Sequence, residues 1–458
     1  MDRISLIDTA ADAIPVVVVS PNTVDQFFAS HPEAAAWLGA SGFQGKPGTA
    51  ALYPAATGGP AGAVVGIGAD FPLQHWAAVA ASLPAGTYTL DPKIEPATAE
   101  QAALGWALAG YRFDRYKSFP DDMAKLVWPA GIDRAAVARL VEANFLARDL
   151  VNTPAQDMGP EQLAARAEDV AKAFGAQFSV IIGNKLLDQG YPAVHAVGRA
   201  AAQAPRLIEI TWGAPDAPRV TLVGKGVCFD TGGLDIKSAG GMKLMKKDMG
   251  GAAHVLALGQ MIMAAALPVR LRILIPAVEN AVAGNALHPL DVVPTRSGKT
   301  IEIGHTDAEG RVILSDALVE AVREDPALVI DMATLTGAAR VALGTDLPAL
   351  FSNDDAWADS VLAQGLSQGD PLWRLPLWAP YRPFLDSGVA DISNEPASPF
   401  GGAITAALFL KDFVGEKTPW MHIDLMAWNP RGRPGHPEGA AAQGLRALFG
   451  AIAERFPA

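Results

Sequence analysis

Hydrophobic and polar positions follow two different patterns along this chain. From about residue 205 onward, apolar runs of strand length alternate with helical stretches. Val220–Val223, Val269–Ile275 and Ala327–Ile330 are short apolar runs that predict buried strands, whereas Met249–Ala266, Val312–Arg323 and Ala403–Phe413 predict helices. The helical period is clearest in Val312–Arg323. There Leu314, Ala317, Leu318, Ala321 and Val322 recur at three- and four-residue spacing, with Ser315, Asp316, Glu320 and Arg323 on the other face. Trp420–Leu425 reads as a late strand whose His422 and Asp424 share one face. Alternation of strands and helices implies a mainly parallel sheet covered on both faces.

Before residue 130 the apolar runs are shorter (Val17–Val19, Ala63–Ile67) and Gly/Pro/Ala-rich breaks separate them. This predicts a small α/β domain without visible chemistry. The polar stretch Lys117–Asp122, interrupted by Pro120, reads as a boundary, and Arg134–Leu150 reads as a helix joining two domains. The fold class is therefore α/β with two domains: a smaller N-terminal α/β domain over 1–131 and a larger α/β/α domain over 132–458 that begins with the linker helix. No internal repeat, heptad run or low-complexity tract is evident beyond general alanine enrichment.

Composition narrows the chemistry. Lysine and arginine total 36 against 48 aspartate and glutamate, giving a net charge of −12, and only 18% of residues are charged. Such a chain is core-rich, and its acidity disfavours a nucleic-acid footprint. The single cysteine, Cys228, excludes an intrachain disulfide and a Cys-rich zinc knuckle, so any metal must be held by carboxylate, imidazole or amine groups. Asp2, Asp8 and Asp12 stand where a signal peptide would be basic and then apolar, so the mature chain is expected to start near Met1. The uncharged run Met249–Val269 is broken by Gly250, Gly251, Gly259 and Pro268, which predicts a buried helix rather than a membrane span.

Charged residues gather among glycines in two places directly after strand-like runs. One is Gly224-Lys225-Gly226, continuing through Asp230-Thr231-Gly232-Gly233 to Lys237 and then Lys246-Lys247-Asp248; the other is His305-Thr306-Asp307-Ala308-Glu309-Gly310-Arg311. Loops at the carboxyl ends of parallel strands are where open α/β sheets bind ligands. In extended conformation His305, Asp307 and Glu309 would project to one side, and their two carboxylates need a cation nearby: Arg311, a lysine or a metal. Taken alone, the segment reads more readily as a solvated loop followed by a helix N-terminal glutamate than as a metal site. Asp230 and Asp248 raise the count to four carboxylates, enough to bridge two cations as in two-metal hydrolysis. Lys225 is either an electrostatic partner or, as a neutral amine, a ligand; Lys237 and Arg311 would then polarise a carbonyl or hold an anion.

Other signals are weaker. Ser297-Gly298-Lys299-Thr300 lacks the glycine a phosphate loop needs at 293, where Val293 stands, and Gly66-Ile67-Gly68 lacks the third glycine of a dinucleotide site. Cys228 in its apolar run reads as a buried structural thiol. His195, His254, His288, His422 and His436 show no ligand spacing. His422 and Asp424 are either outer support for a site or a buried hydrogen-bonded pair.

These residues together resemble the leucyl (cytosol) aminopeptidase family of dinuclear metallopeptidases. The likeness extends beyond Lys225–Gly233 and Thr306–Arg311 to Asn152-Thr153-Pro154, Glu279-Asn280, Gly284-Asn285-Ala286, Asp331–Gly337 and Gly401–Ala406, and spans roughly 145 to 450. Residues 1 to 130 correspond only to the family's variable N-terminal domain. The resemblance implies a cytoplasmic exopeptidase that acts on peptides with a free N-terminus, forms a homohexamer and uses two divalent ions (Zn2+, Mn2+ or Mg2+). By motif, Asp230, Asp307 and Glu309 would hold one ion and Lys225, Asp230, Asp248 and Glu309 the other. Lys237 would polarise the scissile carbonyl, and Arg311 would hold a bicarbonate that acts as general base. Met245, Thr334, Leu335 and Met426 fall at the family's side-chain pocket.

Two departures stand out. His305 occupies a position usually held by asparagine, as an outer hydrogen-bond donor or a pH-sensitive neighbour, and Asp424-Leu425-Met426-Ala427-Trp428 replaces the family's Asp-Ile-Ala-Gly. The alternatives are a different two-metal hydrolase, such as a phosphatase or nuclease, and a family member that binds DNA or a protein partner.

Overall fold

The computed structural model describes residues 4–56, 58–69 and 72–457; the expected start at Met1 lies outside them. The chain divides into two compact units, Met1–Phe145 with Pro430–Gly439, and Leu146–Asn429 with Ala440–Ala458.

The first unit holds a six-stranded sheet of β1 (Leu6–Ile7), β2 (Ile14–Val19), β3 (Ala50–Pro54), β4 (Pro60–Gly66), β5 (Gly86–Leu90) and β6 (Ala124–Val127), in the order β1-β6-β5-β2-β4-β3. Only β3 runs antiparallel, against β4. The stretch 117–122 is not a boundary, because β6 beyond it pairs with both β1 and β5. Fully buried Trp76, Tyr88 and Trp106 anchor this core, and Trp106 satisfies its indole N–H on the Ala124 carbonyl at 2.8 Å.

In the second unit the chain passes through β7 (Gln177–Ile182), β8 (Arg206–Trp212), β9 (Arg219–Gly224), β10 (Gly226–Asp230), β11 (Arg270–Asn280), β12 (Val292–Pro294), β13 (Thr300–Glu302), β14 (Leu328–Ala333), β15 (Ala349–Ser352), β16 (Trp373–Arg374), β17 (Ile392–Ser393) and β18 (Trp420–Asp424). Nine of these strands form the central sheet, ordered β16-β15-β18-β14-β9-β11-β8-β7 with β10 beside β11. Its middle, β18-β14-β9-β11-β10, is parallel, while β7, β8 and the β15/β18 contact are antiparallel. The middle strands are buried along almost their whole length, as their unbroken apolar runs require. The carboxyl ends of β9, β10, β14 and β18 deliver Lys225, Asp230, Thr334 and Asp424 to one region.

The expected helices form at Gly250–Ala264, Glu309–Val322 and Gly402–Val414, and the joining helix runs Arg134–Asn152. Glu309–Val322 departs from a simple amphipathic helix, because Ser315, Asp316 and Glu320 on its polar face are also buried. Asp316 accepts the backbone N–H groups of Ala193, Val194 and Arg296 at 2.8, 3.2 and 2.8 Å, so it caps the helix Pro192–Gly198 from across the unit. Among the described residues no helix is long and apolar enough to cross a membrane; all but two residues of Gly250–Ala264 are buried.

His254 lies in that helix, fully buried. Its Nδ1–H donates to the Gly250 carbonyl at 2.6 Å and Nε2 accepts the Gln443 N–H at 3.0 Å, so a proton on Nε2 would face another N–H. Burial accordingly holds its pKa down to about 4. Between the ordinary value near 6.5 and that value, the unfolded chain binds the proton and the folded one does not. Stability is therefore expected to fall as pH drops through this window, by on the order of 3 kcal/mol from this group. Urea unfolding at about pH 7 and about pH 4.5 checks this, with His254→Gln losing less over the same interval.

Candidate metal centre and active site

Three oxygens, one each from Asp230, Asp307 and Glu309, lie within 4.8 Å of one another. Asp230 ends β10, and its Oδ1 is fixed by the Gly232 N–H at 2.8 Å and Asn280 Nδ2 at 2.9 Å. Glu309 opens its helix, so residues 305–308 form a turn rather than the extended segment expected from the spacing of His305, Asp307 and Glu309. Thr306 ties that turn down: its hydroxyl donates to the Gly232 carbonyl at 2.6 Å and accepts the Asp235 N–H, while its own N–H donates to Asp235 at 2.8 Å.

Two lysines face these carboxylates. Lys225 Nζ lies 2.8 Å from Asp248 Oδ2 and 3.0 Å from Glu309 Oε1, and donates to the Thr334 carbonyl at 3.2 Å. Lys237 Nζ lies 2.8 Å from Asp230 Oδ2 and also contacts Asp307 Oδ1. Burial disfavours both ammonium groups, but the carboxylates around them outweigh it and hold both pKa values above the ordinary lysine range. The Glu309 and Asp307 carboxyls are pushed up by burial and by Asp230 beside them. Asp248 Oδ2, Asp307 Oδ1 and Glu309 Oε1 are buried at ion-pair distance from a lysine yet accept no aligned hydrogen bond. Buried acceptors left in this state call for a stronger cationic partner, and oxygen-rich donors with one amine suit hard or borderline divalent ions.

Close backbone approach makes room for Lys225. A Cβ at Gly310 would lie 2.6 to 2.8 Å from its Cδ, Cε and Nζ, and one at Gly251 would lie 2.0 Å from the Met332 carbonyl oxygen. Arg311, in the first turn of the helix, is buried, donates from Nη1 to the Asn394 carbonyl at 2.9 Å and leaves Nε without a partner. Burial lowers its pKa to about 10.

Two cavities meet here. One of about 350 Å³ is lined by Lys225, Asp230, Lys237, Asp248 and Asp307 together with Met245, Thr334, Leu335 and Met426. The other, about 270 Å³, shares Lys225, Asp307 and Leu335 and adds Arg311. All the residues expected at the site from sequence thus come together. Those that sequence reasoning left without a role are Asn280, Thr306, Asp235 and Asn394, which orient the carboxylates, the turn and Arg311 by hydrogen bonds that no local spacing encodes.

His305 is half exposed; its Nδ1 accepts the Asp307 N–H at 3.1 Å and lies 3.6 Å from Asp235. His422 and Asp424 do not pair with each other, which removes one of the two alternatives open for them. His422 Nδ1 meets Asp331 Oδ1 at 2.6 Å, whereas Asp424 accepts the N–H groups of Leu335 and Thr336 and the Thr336 hydroxyl, holding the loop after β14. In a parallel pair Asp331 stands directly across from His422, closer than a residue two positions along the same strand. Cys228 is fully buried with its thiol pKa raised well above the ordinary value by burial, as suits a structural residue.

The profile of the cytosol aminopeptidase family, catalytic domain, matches residues 145–449, and that of the M17 aminopeptidase N-terminal domain matches 14–129. The chain belongs to the cytosol aminopeptidase family. It is accordingly a hydrolase, a leucyl aminopeptidase-like exopeptidase of a metal-dependent family that acts on peptides. Among its relatives, a probable cytosol aminopeptidase of Roseiflexus castenholzii is 42% identical over 366 residues, 76% of this chain and 75% of that protein. Another, of Leifsonia xyli subsp. xyli, is 38% identical over 90% of this chain and 88% of its own length. The crystal structure of cytosol aminopeptidase from Coxiella burnetii superposes with a TM-score of 0.95 at 46% identity, covering 99% of both chains. The bottromycin maturation enzyme BotP in complex with Mn superposes at 0.86 with 38% identity, covering 97% of this chain and 100% of its own.

Proposed function

We propose that this aminopeptidase releases N-terminal residues from peptides with two divalent ions, zinc, manganese or magnesium, held by Lys225, Asp230, Asp248, Asp307 and Glu309. The observation that carries the reading is the set of buried carboxylate oxygens on Asp248, Asp307 and Glu309 that converge with Asp230 and accept no aligned hydrogen bond. Asp230, Asp307 and Glu309 would hold one ion and Lys225, Asp230, Asp248 and Glu309 the other, with Asp230 and Glu309 shared. Bound there, the ions supply carbonyl polarisation and acidification of water. A complex with Mn in a neighbour of 38% identity supports the same ion chemistry here.

The chain's own groups supply the rest. Lys237 lines the larger cavity beside Asp230 and Asp307, and its ammonium would donate to the scissile carbonyl oxygen as negative charge develops. Arg311, with its unpartnered Nε and a neighbouring cavity, would hold a bicarbonate, which would supply a general base at that place. Thr334 Oγ1 donates to Asp248 Oδ1 at 2.7 Å and keeps that carboxylate turned toward Lys225. Met245, Thr334, Leu335 and Met426 would wall the pocket for the departing residue's side chain. We extend the family likeness to a homohexamer working in the cytoplasm, with light scattering as the check on its mass.

An amino-acid anilide and a phosphate ester, each assayed with and without chelator, test the reading. Anilide turnover that chelator abolishes and added divalent ions restore is the expected result. Turnover of the phosphate ester alone would overturn it.

A further inference from the structure

The turn Met245–Met249 sends two neighbouring lysines to different places. Lys246 donates to the Asn152 carbonyl at 2.6 Å and lies over the Trp428 ring, whereas Lys247 lines the larger cavity. Lys247 is only 6% exposed, yet among the described residues its side chain makes no hydrogen bond or ion pair. The acidic groups around the cavity are already engaged: Asp248 by Lys225 and Thr334, Asp230 and Asp307 by Lys237, Asp424 by Thr336 and two backbone N–H groups. Arg340, an exposed residue on the helix Gly337–Leu343, lines the same cavity, and its side chain makes no hydrogen bond or ion pair among the described residues. Apolar wall is supplied by Met245, Leu347, Leu425 and Met426.

We infer that this pocket selects peptides with an acidic N-terminal residue, whose side-chain carboxylate is received by Lys247 and Arg340. The inference rests on the aminopeptidase reading and names the substrate class of the same site. The methylenes of glutamate or aspartate pack against the apolar wall, and the carboxylate supplies an acceptor for the Lys247 ammonium, which has none among the described residues, and for the exposed Arg340 guanidinium. A leucine side chain would leave Lys247 buried and unpaired, and a lysine side chain would bring like charge against it. Discrimination of this kind is strong, because a site built around a polar group rejects the analogue that lacks its partner.

The experiment compares kcat/KM of the metal-loaded protein on glutamyl, aspartyl, leucyl, methionyl and lysyl anilides. The better of the two acidic substrates is expected to exceed the leucyl one by about tenfold or more, and the lysyl one by more than that. Lys247→Met and Arg340→Gln are each expected to lower the acidic-to-leucyl ratio by about tenfold, Lys247→Arg to retain it, and Lys247→Glu to invert the glutamyl-to-lysyl order. If the Lys247 variants do not fold, Arg340→Glu at an exposed position gives the same readout through the glutamyl-to-lysyl ratio. A wild-type enzyme that prefers leucyl or lysyl anilide, or variants that leave the ratios unchanged, overturns this inference while the aminopeptidase reading stands. Absence of turnover on every anilide overturns both.

Discussion

Asp230→Asn is expected to cut kcat/KM on the order of a thousandfold while the protein keeps its fold. Asp230 is one of the two carboxylates proposed to serve both ions, so its neutralisation removes charge from two positions at once. Its surroundings tolerate the amide. The remaining oxygen can keep the hydrogen bonds from Gly232 and Asn280, and Lys237, which loses its acceptor on this side chain, keeps Asp307. Bound metal should fall from the proposed two ions per subunit in parallel with activity, while circular dichroism stays unchanged. An Asp230→Asn enzyme that retains both metal and turnover would mean the ligands are wrongly assigned. Asp248→Ala offers an independent check, since it removes a carboxylate belonging to one proposed ion only.

The largest expected loss of stability follows Asp331→Ala. Asp331 sits fully buried in β14, where Oδ1 meets His422 Nδ1 at 2.6 Å and Oδ2 accepts the Trp420 indole N–H at 2.7 Å. Burial pulls the His422 pKa down, but Asp331 outweighs it and raises the net value, so the imidazole's charge depends on that carboxylate. Removing it strands a buried imidazole and a buried indole N–H and opens a cavity between β14 and β18, with an expected cost of about 3 to 5 kcal/mol. Chemical unfolding of the two proteins measures it. Asp331→Asn keeps the shape and an acceptor, and should cost less. Because a raised histidine pKa contributes stability that is complete below the ordinary value and is lost as pH rises through the folded one, the wild type's advantage over Asp331→Ala should shrink at alkaline pH. An equal loss at every pH would show that the pair is neutral.

The two cases mark how far the sequence could be read. Buried parallel strands announce themselves as unbroken apolar runs, because each face is covered and no polar alternation survives; hence the starts of β9, β11 and β14 were visible to within a residue, while β11 continues to Asn280 and β14 to Ala333, beyond the expected ends at Ile275 and Ile330. The joining helix and three of the larger unit's helices, Gly250–Ala264, Glu309–Val322 and Gly402–Val414, were visible for the corresponding reason. The polar face of Glu309–Val322 was visible too, but not its destination. Asp316 is a buried cap for a helix more than a hundred residues earlier in the chain, and only the packed unit brings Ala193 and Val194 to it.

The chemistry divides in the same way. Residue types and order alone named Lys225, Asp230, Lys237, Asp248, Asp307, Glu309 and Arg311, since few arrangements other than cation binding gather so many carboxylates among glycines beside strand ends. The lone cysteine by itself excludes a metal site built on several thiolates. Which lysine faces which carboxylate, that 305–308 is a turn rather than a strand, that His422 belongs to Asp331, and that Lys247 stands unpartnered in a cavity with Arg340 were decided by the tertiary structure. The physical reason is that hydrophobic period and local backbone preference act over a few residues and leave a record in the sequence. Pairing of charges depends on distances between separate strand ends, and those are set only when the sheet and its covering helices pack.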